Sequence, residues 1–390
     1  MLKKIVKAIA ILVGAFVLLA VGAYYYLKPD LPPLMSADTT ELPDFKWRRI
    51  DLGDDLKCSD GTPYQPFVRE GTSNNLIIYF SGGGVAWDAH TALNPIDLNT
   101  LRTREGYYFK NLSPWIMYSM GGIIEENQPK NPFNDWQFAF IPYATADFHT
   151  GNRSVELTAN GQRQMIHFNG RTNVTQSLQW FFKHFPKPDK VLICGESAGA
   201  FGSTFWTPYI AQHYTGSQLY HFADGAMLSN EKMTSVVDDL WHADWEKQFG
   251  HAPQKDLIKG AFLHNAKVLG NQVTYLHFNT LYDEILARYQ ADINDLPRDN
   301  QQHVLDWSAE MLTATAELQA QIPNYYFYLT DYSLDKEKGT TVHTISRNQD
   351  FYYQVEEEGI LFLDWLSDAV LKDAPRKVGE KFLFTVVGKS

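Results

Sequence analysis

The 390 residues are 44% hydrophobic and 20% charged, and their formal net charge is −11. An acidic chain without a lysine or arginine cluster in its globular part has little with which to neutralise a phosphate backbone, so nucleic acid is not an expected partner. The two cysteines, Cys58 and Cys194, can build neither a disulfide scaffold nor a four-cysteine zinc site.

The chain begins MLKKIVKAIAILVGAFVLLAVGAYYYL, with lysines at 3, 4 and 7 ahead of an apolar run over 8–27. That run is long enough to cross a bilayer of roughly 30 Å as a helix, and the lysines would keep its start on the cytoplasmic side. Residues 1–29 are therefore expected to be a membrane anchor with everything after them outside the cytoplasm. Val21-Gly22-Ala23 keeps open a cleaved signal segment and a secreted product. Residues 30–45, polar with prolines at 32, 33 and 43, read as a linker. Residues 46–390 carry no second such stretch and no repeat, and suit one large α/β domain.

Within that domain, LIIYF at 76–80 predicts a buried strand, and SGGG follows it at 81–84. Glycine costs backbone entropy and packs nothing, so a triplet after a strand implies a sharp turn or a very close backbone approach. Further on, VLIC at 191–194 predicts a second strand that runs into GESAG at 195–199, a G-x-S-x-G match. A helix over 198–212 is predicted next, kinked or ended early by Pro208. A serine on a tight strand-to-helix turn needs small neighbours, and it presents its hydroxyl at the positive end of a helix. Ser197 is thus the candidate nucleophile. The Ala198 N–H supplies one donor for an oxyanion, and the loop carrying Gly83 and Gly84 supplies the rest.

A serine at its ordinary pKa needs a base, usually a histidine oriented by an acid, and in this architecture the chain order is Ser, Asp, His. Asp224 in HFADGAM and Asp283 in NTLYDEI are the acid candidates. Downstream of Asp283 lie only His303, in a polar approach to a helix and expected to be solvated, and His343 in KGTTVHTISRNQDFYY. No H-x-E-x-C, H-E-x-x-H or paired-carboxylate spacing occurs, so no metal or organic cofactor is expected.

The segment LKCSDGTPYQPFVREGTSNNLIIYFSGGGVAW at 56–87 resembles the opening of the pectin acetylesterase family, which includes plant pectin acetylesterases and Notum-like carboxylesterases. There a cysteine precedes D-G-S/T-P, then a strand, then a glycine motif. NPFNDWQFAFIPYATADFHTG at 131–151, HFNGR at 167–171, GESAG, HFADGAML at 221–228 and NTLYDEI at 279–285 resemble later family segments in the same order. The resemblance implies an α/β-hydrolase-like fold, a mainly parallel sheet flanked by helices, here preceded by the transmembrane segment. It implies a serine esterase with Ser197, Asp283 and His343 as triad, acting on an acylated small molecule or glycan and removing acyl groups, acetyl above all. A long-chain deacylase of the Notum type, or a silent carbohydrate-binding relative, is the alternative. The chain departs from the family at Ser81, where a Glu is usual, at Val85-Ala86 in place of Trp-Cys, and in losing the family partner of Cys58. Val85 is expected to widen the pocket beside the glycines and to favour short acyl groups.

Overall fold

The computed structural model describes residues 13–15, 18–19, 22–23, 26–42, 45–97, 100, 103, 105–126, 128–298 and 300–384. Eleven strands in chain order carry the architecture: β1 Leu34–Ser36, β2 Arg48–Asp51, β3 Phe67–Arg69, β4 Leu76–Phe80, β5 Gln137–Ile141, β6 Arg153–Ala159, β7 Gln162–Phe168, β8 Lys190–Glu196, β9 Gln218–Asp224, β10 Val273–Thr280 and β11 Tyr325–Thr330. Nine of them form one sheet in the order β1-β2-β3-β5-β4-β8-β9-β10-β11. From β5 to β11 every pairing is parallel, while β3 is antiparallel to both its neighbours. β6 and β7 form a separate antiparallel hairpin.

Because side chains alternate along a strand, a sheet buried on both faces must be apolar throughout. LIIYF obeys this. Leu76, Ile78 and Phe80 enter the core on one face, and Ile77 and Tyr79 that on the other. The first face is covered by α1 Gly170–His184, α2 Ala198–His213, α3 Leu257–Leu269 and α5 Gln302–Gln321, while α4 Glu284–Ile293 packs against α5. The second is covered by α6 Phe362–Leu371 and the 3-10 turn Gly122–Ile124.

From β4 the chain steps to β5 on one side, and it later enters β8 on the other. The crevice between the diverging connections at the carboxyl ends of β4 and β8 is where open α/β sheets bind ligands. The glycine loop leaves β4 there, and Ser197 leaves β8.

Residues 34–36, inside the stretch read as a linker, pair in parallel with β2, and Trp180 Nε1 donates to the Ala37 carbonyl at 2.9 Å. The expected anchor falls largely on residues outside those described; among the described residues no helix is long and apolar enough to cross a membrane. Pro208 neither ends nor breaks α2, which runs on to His213. The Thr204 carbonyl, whose helical donor Pro208 lacks, accepts from Asn265 Nδ2 of α3 at 2.8 Å instead. Cys58 and Cys194 are both free and buried.

Candidate active site

Ser197 sits between β8 and α2 with φ 52° and ψ −128°. A non-glycine residue rarely adopts this conformation, and it persists only where the surroundings enforce it. Here the Ser197 amide donates to the Asp224 carbonyl at the end of β9, at 2.8 Å, and the neighbouring glycines have no room for side chains. A Cβ on Gly199 would stand 2.0 Å from the Phe80 carbonyl oxygen, and one on Gly195 would stand 2.3 Å from that of Gly199. The small residues of G-x-S-x-G are therefore required by the packing of α2 against β4.

The same measure accounts for the triplet after β4. A Cβ on Gly82 would lie 2.7 Å from Ser197 Cβ, one on Gly83 2.7 Å from the Tyr143 ring, and one on Gly84, at φ 86°, 1.9 Å from the Tyr107 carbonyl oxygen. The backbone passes directly over the serine. Gly82 N–H is taken by Glu196 Oε1 at 2.7 Å. Among the described residues the amides of Gly83 and Gly84 make no hydrogen bond, and the Ala198 amide, at the first turn of α2, has no helical acceptor. Ser81, at the family's Glu position, accepts from the Tyr143 amide through Oγ at 2.8 Å.

Asp283 ends the turn after β10 and caps α4, its Oδ1 accepting from the Ile285 and Leu286 amides at 2.9 Å each. Its Oδ2 faces His343 Nδ1 at 2.5 Å. The histidine loop is tied to the end of β10 through Thr341 N to the Tyr282 carbonyl at 2.9 Å and Thr280 Oγ1 to the Val342 carbonyl at 2.7 Å. The His343 ring lies against Gly225, where an added Cβ would be 3.5 Å from Cε1, so it is next to the strand end that anchors Ser197. His343 Nε2 is buried and without a partner among the described residues. Burial by itself would lower its pKa. The charge and hydrogen bond of Asp283, with the more distant charges of Asp224 and Glu196, outweigh that and hold it above the usual histidine value.

Asp224, the rival acid, does not meet His343 in a hydrogen bond. Its Oδ2 accepts from the Ile345 and Ser346 amides at 3.0 and 2.7 Å, and burial pushes its pKa up to about 7. It holds the histidine loop by its backbone. His303, at the start of α5, bonds the Pro297 carbonyl at 3.0 Å and takes no part here. Val85 is 3% exposed and packs in the core beneath the glycine loop. The exposed aromatic beside the loop is Phe109, whose ring would be 3.1 Å from a Gly83 Cβ, followed by Trp115 at 40% exposure. Sequence reasoning passed over Glu196 and Arg347, whose side chains form an ion pair at 2.5 Å, the carboxylate buried and the guanidinium partly so. A charged residue inside a turn built of small ones was the available signal.

A family model described as Pectinacetylesterase matches residues 51–246. Two crystal forms of the Wnt deacylase Notum from Drosophila share this fold, with TM-scores of 0.55 and 0.56 at 14% identity, over 84% of this chain and 94% of theirs. No protein among the curated sequences matches the chain.

Proposed function

The chain belongs to the pectinacetylesterase family, and on that premise we propose that it is a serine-dependent carboxylic ester hydrolase. Family membership supports ester hydrolysis. The contact that carries the serine mechanism is His343 Nδ1 at 2.5 Å from Asp283 Oδ2, with Nε2 left unpartnered next to the strained turn of Ser197.

In this reading Ser197 Oγ attacks the ester carbonyl carbon while His343 Nε2 takes its proton, and Asp283 holds the imidazole in the tautomer with Nδ1 protonated. The tetrahedral oxyanion is received by the amides of Gly83, Gly84 and Ala198. The imidazolium then protonates the leaving alcohol, and the acyl-enzyme is hydrolysed by a water that His343 deprotonates. Phe109 offers an exposed ring beside the glycine loop, which suits an acylated glycan stacking on it, and acetyl is the acyl group proposed. The chain is further proposed to be held at a membrane by residues 1–29, its domain outside the cytoplasm.

A fluorophosphonate should label the protein at Ser197, and Ser197→Ala should abolish labelling and turnover of p-nitrophenyl acetate while the fold survives. Undiminished turnover in that variant overturns the mechanism. A series of p-nitrophenyl esters of increasing acyl length is equally decisive for substrate: activity should fall beyond butyryl, and a steep preference for chains of about twelve carbons or more would make the enzyme a lipid deacylase. Expressed whole, the protein should pellet with membranes and resist high salt; full-length soluble material still carrying Met1 would reject the anchor.

A further inference from the structure

The residue before the nucleophile is charged and buried: Glu196 is 3% exposed. Its contacts reach three separate parts of the site. Oε1 accepts from the Gly82 amide at 2.7 Å, at the start of the glycine loop, and meets Arg347 Nη2 at 2.5 Å, four residues after His343. Oε2 accepts from the Tyr79 hydroxyl of β4, which lies 2.8 Å from Ser346 Oγ. Glu196 itself adjoins Ser197 in the chain. Arg347 is fixed in turn by Ser119 Oγ at 3.2 Å from Nη1 and by the Phe140 ring, 5.9 Å from its guanidinium carbon.

Folding alone gives little reason for this arrangement. Burying a carboxylate and a guanidinium costs free energy that their attraction recovers only in good geometry, and an apolar or small pair is often as stable. The other residues of the turn, Gly195, Ser197, Ala198 and Gly199, are all small and uncharged. What the carboxylate does here, and a small residue could not, is connect both loops to the turn between them.

We propose that Glu196 is a positioning residue that sets the glycine loop, Ser197 and His343 in a common register, with Arg347 as the arm that reaches it from the histidine loop. This rests on the reading of Ser197 as nucleophile and His343 as base. The charged and titratable groups around His343 are Asp283 in direct contact, Asp224 beneath its loop, and the Glu196–Arg347 pair with the Tyr79 hydroxyl; burial, chiefly, and the Glu196 charge hold that hydroxyl neutral. Glu196 favours the imidazolium and Arg347 opposes it. Removing one or the other should therefore move the titration of His343 in opposite directions, which simple loss of packing would not do.

The test uses the full chain, with kcat and KM for p-nitrophenyl acetate measured across pH in Glu196→Gln, Arg347→Met and the double variant, each checked for folding by near-ultraviolet circular dichroism. Glu196→Gln should lower kcat about tenfold to a hundredfold, the scale of a small misplacement of reacting groups. KM should stay within about threefold, because the ester itself is not touched. The acid limb of kcat/KM should move to lower pH in Glu196→Gln and to higher pH in Arg347→Met. In the double variant it should return towards its original position while kcat stays low. A lone buried charge can unfold a protein, so the double variant, which leaves neither charge, is decisive. Its kcat at the unmodified level, or acid limbs that do not move in the folded single variants, would overturn the proposal. Activity surviving in Ser197→Ala would instead overturn the serine mechanism on which it rests.

Discussion

Two loops converge on Ser197, and they are held in opposite ways. The loop 81–84 comes close because it lacks side chains: every Cβ added to Gly82, Gly83 or Gly84 would meet another atom within 2.7 Å. The loop 339–347 is held because three acids grip it. Asp283 meets the His343 ring, Asp224 the Ile345 and Ser346 amides, and Glu196 the Arg347 guanidinium. A backbone that must lie against another chain atom is governed by steric exclusion, and any added carbon is felt. A loop held by hydrogen bonds and charges can lose one contact and keep the others, so its defects should be graded and should depend on pH.

The largest effect should come from the acid in direct contact with the imidazole. Asp283→Asn should preserve the fold by circular dichroism and reduce turnover by about 10⁴, since the amide favours the wrong tautomer. It should fall within about tenfold of His343→Ala, the two being non-additive. Next comes the glycine loop: Gly82→Ala forces the backbone away from Ser197 and should cost about 10² to 10³ in kcat, the scale of a lost oxyanion donor. If Gly82→Ala turns over normally, close approach is not what the glycines provide.

Asp224→Asn should cost less, about tenfold, because the side chain still offers one oxygen to the two amides of the histidine loop. Abolished turnover there, with Asp283→Asn retaining most of its rate, would reverse the roles of the two aspartates. The pH profile sharpens the same contrast. His343 must be neutral to act as base, and its pKa is raised, so kcat/KM should climb through a midpoint above the ordinary histidine value of about 6.5. Asp283→Asn should lower that midpoint by removing the carboxylate's charge. The smallest effect on rate is expected at Gly161, in the two-residue turn between β6 and β7, with φ 76° and open space around it. Gly161→Ala should destabilise by about 1–2 kcal/mol, the cost of a side chain in the left-handed region, and leave kcat unchanged.

The sequence by itself determined the elements whose reasons are local. LIIYF and VLIC are apolar at every position, which only a strand buried on both faces tolerates, and β4 and β8 lie side by side in the sheet. The glycines and the small residues of GESAG marked backbone approach, because no other residue type fits where a Cβ has no room. Asn160-Gly161 marked the β6–β7 turn, a signal that the strand reading passed over. Tertiary structure decided the remainder. Which aspartate meets His343 depends on where the carboxyl ends of β9 and β10 stand relative to a loop more than 50 residues further on, and no local pattern encodes that distance. Residues 34–36 became an edge strand because β2 offered unpaired backbone groups, although their composition reads as linker. The helix passes Pro208 because Asn265, distant in sequence, satisfies the carbonyl the proline leaves free. Glu196 gained its role only when the sheet brought Gly82, Tyr79 and Arg347 to one carboxylate, since a charge is silent in sequence until folding selects its neighbours.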